Sequence, residues 1–169
     1  MVIYGLPFYY KTHVQLGENL FMSQQNKKAE ALYLDLIKEY PNRYEAHMKL
    51  GDMYMAEERC KEAIPYYDTI LKNNSRPSTK EWPVYYALGI CHESMDQWED
   101  AESYFLGALA LSPDQPNVLN YLAYSWLTKN QNMQEAERML KIAIEQRPYA
   151  SHIIDSYGWA LFKLGRYEE

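Results

Sequence analysis

The 169-residue chain carries a formal net charge of −6 at pH 7. This charge argues against nucleic acid and anionic membrane surfaces as partners, because both attract clustered Lys and Arg. No apolar run approaches the ~20 residues of a membrane span, so direct membrane insertion is not expected either. With 47% hydrophobic and 24% charged residues, the composition is that of an ordinary folded protein, and we expect a single domain over 1–169.

The chain begins with the apolar stretch 1–9, which leads into the first predicted helix at about 11–23. This stretch lacks the basic start and the small-residue cleavage site of a signal peptide. The sequence therefore does not determine the cellular compartment of the protein. The cytoplasm is the default, and the periplasm or cell envelope applies if an export signal of the protein is missing from this chain.

A Leu-Gly pair, or a close equivalent, then recurs along the chain. Successive small residues are 34, 38, 34 and 35 positions apart, and they are Gly17, Gly51, Gly89, Ala123 and Gly158. A self-similar period near 34 residues is typical of stacked helical hairpins rather than of one globular core. Since such stacks usually bind partners and perform no chemistry, the period favours a binding function.

Two further residue types keep the same period. An alanine follows each of the first four small residues after 12 or 13 positions, and four positions beyond it lies a large apolar side chain. The pairs are Ala29 and Tyr33, Ala63 and Tyr67, Ala101 and Phe105, and Ala136 and Leu140. Small residues at two fixed places let the helices of a hairpin approach to about 8–10 Å, and the bulky side chain fills the space beside them.

The phase of this pattern predicts five first helices, four of which are followed by the second helix of a hairpin. The first helices are expected at about 11–23, 44–57, 82–95, 116–129 and 151–164. The repeats are expected at about 10–43, 44–81, 82–115 and 116–150, with a partial repeat at 151–169. The polar stretch 73–80 replaces the proline that ends three other units at 41, 113 and 148, so it predicts a protruding loop.

Together these features resemble the tetratricopeptide repeat, in which Leu-Gly, an aromatic residue, two alanines and a proline follow in order. The aromatic residue is present here as Tyr54 and Trp126, and the resemblance covers roughly residues 10–169. It implies an all-α, right-handed superhelical solenoid of antiparallel helix pairs, with four full hairpins and the first helix of a fifth, about nine helices. It also implies a non-enzymatic scaffold for protein–protein interaction. The last two units resemble repeats common in bacterial proteins.

In such a stack the first helices line the concave side. Helical spacing places the residues two before the Leu, one after the Gly and four after the Gly on that side. The predicted peptide-binding groove consists of Val14, Phe21, Met48, Asp52, Met55, Tyr86, Ile90, Asn120, Tyr124, Leu127, Trp159 and Phe162. Its apolar, aromatic and acidic character suits a protein or peptide ligand that is partly hydrophobic or basic. The alternative is that several of these side chains pack between neighbouring first helices and stabilise the superhelix.

One subtype of the family is excluded. Domains that hold the acidic C-termini of heat-shock chaperones use Lys, Asn and Arg along three consecutive repeats, and the corresponding places here include Val14, Glu18 and Ala87. Carboxylates such as Asp52 would repel an acidic tail.

Residue types that carry chemistry are dispersed along the chain. The four histidines form no zinc-binding pair, and neither a Gly-rich phosphate loop nor a Gly-flanked serine nucleophile is present. We therefore expect no catalytic residue, no metal and no cofactor. Cys60 and Cys91 have no metal-like spacing and are expected to be free thiols used as small apolar residues, with a disulfide between them as the alternative.

The fifth unit lacks its second helix in this chain, so the face formed by Ile154, Tyr157, Gly158 and Leu161 is expected to be open. We predict that the same face of a second copy, or a rearranged terminus, covers it, which makes self-association through this helix one expected interaction. The alternative function is a regulatory or targeting domain of a longer protein, for example an envelope-associated adaptor, whose catalytic or membrane part lies outside this chain.

Overall fold

A computed structural model describes residues 6–72 and 78–168, with side chains described from Phe8 onward. These ranges contain nine α-helices and no strand, which confirms the all-α prediction. The helices are α1 Leu6–Met22, α2 Asn26–Glu39, α3 Tyr44–Ala56, α4 Cys60–Lys72, α5 Trp82–Ser94, α6 Trp98–Leu111, α7 Pro116–Thr128, α8 Met133–Gln146 and α9 Ser151–Lys163.

Four of the five first helices begin at the predicted residue and end one residue earlier than predicted. The exception is α1, which begins at Leu6 rather than at about residue 11, so the helix includes residues 6–9 of the N-terminal lead. Tyr10 joins α1 to α3: its ring is buried, and its hydroxyl accepts a hydrogen bond of 3.0 Å from the backbone N–H of Ala46 at the start of α3. Because the first N–H groups of a helix have no partner within the helix, this bond stabilises both elements.

The predicted loop at 73–80 falls mostly outside the described residues, which resume at Ser78. The backbone N–H and the hydroxyl of Ser78 both donate to a carboxylate oxygen of Glu81, just before α5. The Ser78–Glu81 pair therefore orders the entry to that helix, in the manner of a capping box.

Contacts between Cα atoms group the chain into two compact units, each described by itself below. Unit 1 takes residues 1–77 and 90–101, and unit 2 takes residues 78–89 and 102–169. The boundaries between the two units fall within α5 and α6, so each unit contains part of both helices. The boundaries of the five repeats and the single domain over 1–169 stay predictions.

In unit 1, α1 packs against α2 and α3 against α4, while α2 and α1 both contact α3. The first helices α1 and α3 are thus neighbours, as the repeat pattern predicts. The helices of each hairpin cross at the small residues: a Cβ added to Gly17 would lie 2.5 Å from the ring of Tyr33, and one added to Gly51 would lie 2.8 Å from the ring of Tyr67. Only glycine lets these rings pack so closely.

Unit 2 repeats the arrangement, with α7 packed against α8, α8 against α9, and α7 against α9. Here a Cβ on Gly89 would lie 2.5 Å from the ring of Phe105. The alanines of the pattern are fully buried in both units, which confirms their place at the helix crossings: Ala29, Ala63, Ala101 and Ala136.

The two cysteines, both in unit 1, form a disulfide, so the prediction of free thiols is wrong and the alternative is correct. Cys60 is the first residue of α4, and Cys91 lies in α5 with its Cα 5.1 Å from that of Cys60, within the usual range for a disulfide. Cys60 thus lies at the start of the second helix of one hairpin and Cys91 in the first helix of the next, so the disulfide links two successive hairpins. The two cysteines hold different positions in the repeat, and the period alone therefore does not predict their contact.

Candidate functional site

Unit 1 places its predicted groove residues at the surface of α1, α3 and the unit 1 part of α5. All of them are half-buried, neither fully exposed nor in the core: Val14, Phe21, Met48, Asp52, Met55 and Ile90. Two cavities collect four of these side chains. Phe21 and Asp52 line one of them, and Met55 and Ile90 line the other.

The first of these, here called the acidic cavity, has a volume of about 310 Å³. Apolar walls and two carboxylates make up most of its lining, which consists of Gln15, Glu18, Phe21, Met22, Tyr33, Lys49, Asp52 and Met53. Glu18 follows Gly17 on α1, and Asp52 follows Gly51 on α3, so the repeat itself brings the two carboxylates to the same surface. A chain of methylene groups ending in a cation fits this combination of wall and charge.

The carboxylates of the acidic cavity differ in their partners. Lys49 forms an ion pair with Glu18, whereas Asp52 accepts a hydrogen bond of 2.8 Å from the hydroxyl of Tyr67. Burial raises the pKa of Asp52, and the nearby charge of Glu18 raises it further, while the Tyr67 hydroxyl and Lys49 oppose the shift. Asp52 thus carries a negative charge that is incompletely compensated, which a cationic ligand would relieve.

Replacing Asp52 by Asn should therefore change how stability depends on pH. Since the pKa of Asp52 is higher in the folded than in the unfolded chain, the wild type loses stability relative to Asp52→Asn as the pH rises from about 3, below the unfolded pKa near 4, towards 7. The asparagine oxygen still accepts the hydrogen bond from Tyr67, so the fold is kept. Urea unfolding of both proteins between pH 3 and 7 measures the difference.

The exposed carboxylate of Asp35, on α2 of the same unit, offers a control. Asp35→Asn removes the same formal charge from the same unit and therefore controls for the change in net charge. A wild type that gains stability relative to Asp52→Asn with rising pH would show that the carboxylate is well compensated.

The second cavity of unit 1 has a volume of about 550 Å³ and lies beside the disulfide. Its lining is Met55, Glu58, Arg59, Cys60, Lys61, Glu62, Ile90, Ser94 and Met95. Sequence reasoning did not single out Arg59, which the structure places at the rim. Its guanidinium donates to Glu57 at 2.8 Å and to Glu62 at 3.0 Å, and it lies 4.3 Å from the ring centre of Tyr54. Arg59 is thus engaged in holding the turn between α3 and α4.

Unit 2 presents an aromatic surface on α7 and α9. Tyr124, Trp159 and Phe162 are exposed to 50%, 38% and 54%. The rings of Trp159 and Phe162 stack with centres 5.3 Å apart and planes inclined by 12°, and the ammonium of Lys163 lies 5.2 Å from the Trp159 ring centre. Large rings that stay at the surface of a folded unit are the residues most often found as anchors in interfaces.

Tyr167 extends this aromatic surface, although the repeat phase did not select it. Its ring meets that of Phe162 edge-on at 5.6 Å and is 72% exposed. The tyrosine reaches this place because the chain turns at Gly165, whose φ of +75° is readily adopted only by glycine. The Gly-Arg-Tyr run after α9 is the sequence feature from which a turn and an aromatic side chain at this place could have been predicted.

Asn120 and Tyr86 are half-buried members of the predicted groove. The side-chain oxygen of Asn120 is buried and has no hydrogen-bond partner among the residues that the structure describes. A buried polar atom of this kind is costly unless a ligand or water supplies a donor. The ring of Tyr86, by contrast, contacts the rings of Phe105 and Tyr121, and burial raises its pKa, so Tyr86 serves packing.

Leu127 does not lie on the surface as predicted, because it is fully buried. It occupies the same repeat position as the exposed Phe162, four residues after the small residue. The difference arises because α7 packs against both α8 and α9, which together cover more of its circumference. The prediction that Leu127 lines a groove is therefore wrong.

The open face of α9 is only partly as predicted. Ile154 is 46% exposed and Gly158 is exposed, but Leu161 is 8% exposed and belongs to the core. The residues after α9 turn back, with the Arg166 backbone N–H donating to the Leu161 carbonyl at 2.9 Å and the Arg166 side chain donating to Glu137 at 2.7 Å. Self-association through this face stays a prediction.

Within residues 6–72 and 78–168, no three or more His, Cys, Asp or Glu side chains gather in a way that would hold a metal ion. No helix in these ranges has the length and apolar character needed to cross a lipid bilayer.

Comparison with known families and structures agrees with this geometry. Two family models, both described as tetratricopeptide repeat, match residues 14–77 and 84–119, which together are more than half of the chain. The crystal structure of the MamA protein superposes with a TM-score of 0.77 at 20% identity, over 94% of this chain and 84% of that one. YrrB, described as a TPR protein with an unusual peptide-binding site, superposes with a TM-score of 0.70 at 17% identity, over 92% of this chain and 78% of YrrB. These likenesses confirm the helical-repeat fold.

Among curated proteins, lipopolysaccharide assembly protein B of Escherichia coli (strain K12) is 28% identical over 89 residues, or 53% of this chain. The matched part is 23% of that protein, so the chain spans about a quarter of the length of this relative.

Proposed function

Because the chain belongs to the tetratricopeptide repeat family, we propose that it is a protein-interaction scaffold that binds a peptide or an extended protein segment on the exposed side of its first helices. The observation that carries the proposal is the stacked, exposed ring pair of Trp159 and Phe162 on α9. Exposed rings leave apolar surface in contact with water. A partner that covers the rings gains the free energy of burying this surface.

In unit 2 the proposed ligand contacts combine anchors and a polar clamp. Tyr124, Trp159 and Phe162 are the anchors, since rings bury a large area at a low cost in side-chain entropy. Asn120 is the clamp, because its side-chain oxygen, which lacks a partner among the described residues, accepts a hydrogen bond from a backbone N–H of the ligand. An extended or helical segment with apolar side chains satisfies both features.

In unit 1 the acidic cavity by itself favours a ligand segment with a basic side chain. The aliphatic part of Lys or Arg lies against Phe21 and Met22, and its charge reaches Glu18 and Asp52. Partly hydrophobic and partly basic segments are therefore the preferred ligands, and acidic tails are disfavoured.

Peptides selected from a phage-displayed library of 12-residue sequences against the full chain test this proposal. We expect the selected sequences to be enriched in aromatic, aliphatic and basic residues. The variant Tyr124→Ala with Trp159→Ala should bind a selected peptide at least ~30-fold more weakly by isothermal titration calorimetry, which corresponds to about 2 kcal/mol for a hot spot.

The matched control is Tyr149→Ala, because Tyr149 is 95% exposed but lies between α8 and α9. This variant should bind as the wild type does. Thermal unfolding of the double variant shows whether the rings of Tyr124 and Trp159 bind the ligand or stabilise the fold. Unchanged affinity in the double variant, or loss of folding in place of loss of binding, would overturn the proposal.

A second candidate is that the chain is a targeting or regulatory domain of an envelope-associated adaptor. It is favoured by the Cys60–Cys91 disulfide, since structural disulfides persist in oxidising compartments such as the periplasm. The likeness over 89 residues to a protein named for lipopolysaccharide assembly supports a role connected with the cell envelope. Quenching the cells with acid and then adding a maleimide to the unfolded chain tests it: both cysteines should resist modification unless a reductant is added first, and modification without reductant argues against this candidate.

A further inference from the structure

The two sulfurs of the Cys60–Cys91 disulfide differ in their access to the second cavity of unit 1. Cys60 lines this cavity of about 550 Å³ and is 8% exposed, whereas Cys91 does not line it and is 0% exposed. Thiol–disulfide exchange requires a thiolate to reach one of the two sulfurs of the disulfide. In the folded chain, attack is therefore expected at Cys60 and not at Cys91.

The cavity is large enough for a whole small molecule beside Cys60. Its volume lies within the ~300–1,000 Å³ that is usual for small-molecule sites. Met55, Ile90 and Met95 supply apolar and polarizable walls. Such walls suit the methylene groups and the sulfur atom of a small thiol.

The charges at the cavity indicate which small thiols it would take. Arg59 and Glu62 neutralise each other, since the guanidinium donates to the carboxylate at 3.0 Å. Lys61 and Glu58 also line the cavity, and both side chains are exposed. Neither of these two forms an ion pair with a residue of the described ranges 6–72 and 78–168. One unpaired cation and one unpaired anion together match a molecule that carries both a carboxylate and an ammonium group.

We propose that Cys60 is a site of reversible thiolation by small thiols that carry both an ammonium and a carboxylate group, the class to which cysteine and glutathione belong. The thiolate of the entering molecule attacks Sγ of Cys60, and the bond between Cys60 and Cys91 breaks. Its electron pair leaves on Sγ of Cys91, which takes up the proton that the entering thiol released. One disulfide thus replaces another, so the step needs no further oxidant or reductant.

The buried position of Cys91 should let the mixed disulfide on Cys60 accumulate. Reversal needs the thiolate of Cys91, and burial disfavours the charged form of a thiol. The same step opens the covalent link between α4 and α5. The site goes beyond the function proposed above, because it shares no residue with the aromatic anchors or with the acidic cavity.

The test uses the oxidised full chain without denaturant. Cysteine and glutathione are added in separate arms, the reaction is quenched with acid at successive times, and the chain is analysed by mass spectrometry. We expect early samples to contain a chain that has gained one molecule of the thiol, and peptide mapping should place it on Cys60 with Cys91 as a free thiol. The relative rates of the two arms, each per thiolate, show whether the cavity prefers the amino acid or the tripeptide.

Charge variants with an uncharged thiol as control test the selectivity. Lys61→Gln should react about 3-fold more slowly than the wild type with cysteine and glutathione, the size expected for one exposed ion pair. Its rate with β-mercaptoethanol should be unchanged. Lys72→Gln removes the same charge from the last turn of the same helix and should react as the wild type does with all three thiols. Both lysines are exposed, so both variants should fold.

Four results would overturn the proposal. The first two concern the position of attack: a mixed disulfide on Cys91 or equally on both cysteines, and a mixed disulfide that is trapped only after denaturant is added. The third is that no mixed disulfide is trapped at any time. The fourth is equal slowing of Lys61→Gln with β-mercaptoethanol and with the two charged thiols, which would show that the lysine does not recognise a carboxylate.

Discussion

Reduction of the Cys60–Cys91 disulfide should lower the free energy of unfolding by about 3–4 kcal/mol and the melting temperature by about 10 °C. The two cysteines are 31 positions apart, and cross-linking a loop of that length removes much of the conformational freedom of the unfolded chain. Urea unfolding of the chain, followed by circular dichroism with and without a phosphine reductant, measures the change in the free energy of unfolding.

The control for this prediction is the double variant Cys60→Ala with Cys91→Ala. It should unfold at the lower urea concentration of the reduced wild type, and the reductant should not shift its transition. Because Cys91 is fully buried, part of any loss in the variant also reflects the smaller side chain. A wild type that is indifferent to the reductant would contradict the predicted role of the disulfide.

Alanine at two equivalent glycines should change stability in opposite directions. Gly89→Ala should lower the free energy of unfolding by about 2 kcal/mol, because its Cβ would lie 2.5 Å from the buried ring of Phe105 and the ring contacts Tyr86 and Tyr121. Gly158→Ala should raise it by roughly 0.5–1 kcal/mol, because alanine is the better helix former and meets no atom within 4 Å.

Both substitutions lie in unit 2. Urea unfolding of the two variants and of the wild type measures the two opposite changes in the free energy of unfolding. In the Gly89→Ala background, Phe105→Leu should recover part of the loss, since the smaller side chain leaves room for the new methyl group. A Gly158→Ala variant as unstable as Gly89→Ala would contradict this prediction.

The limits of the helices were largely predictable, because the spacing of small and bulky residues is a local property of the chain. The first helices from α3 onward were predicted to within one residue on this basis. The start of α1 was not, and neither was the hydrogen bond that joins α1 to α3, between the hydroxyl of Tyr10 and the N–H of Ala46, which are 36 positions apart. No local pattern encodes such a contact.

The candidate surface was only partly predictable for a related reason. Helical phase correctly placed Tyr124, Trp159 and Phe162 on the exposed side of their helices. It also placed Leu127 there, but the packing of α7 against two other helices buries this residue. Phase determines the direction of a side chain, whereas burial depends on what lies in that direction.

The amino-acid sequence by itself determined the repeat, the order of the helices and the small residue at each helix crossing, because these follow from spacings within about 35 residues. The tertiary structure alone decided that Cys60 and Cys91 are bonded, that Asp52 is held by Tyr67, and that Leu127 is buried. The reason is physical: spacing along the chain determines the direction in which a side chain points, but only the neighbouring helices determine what it meets there.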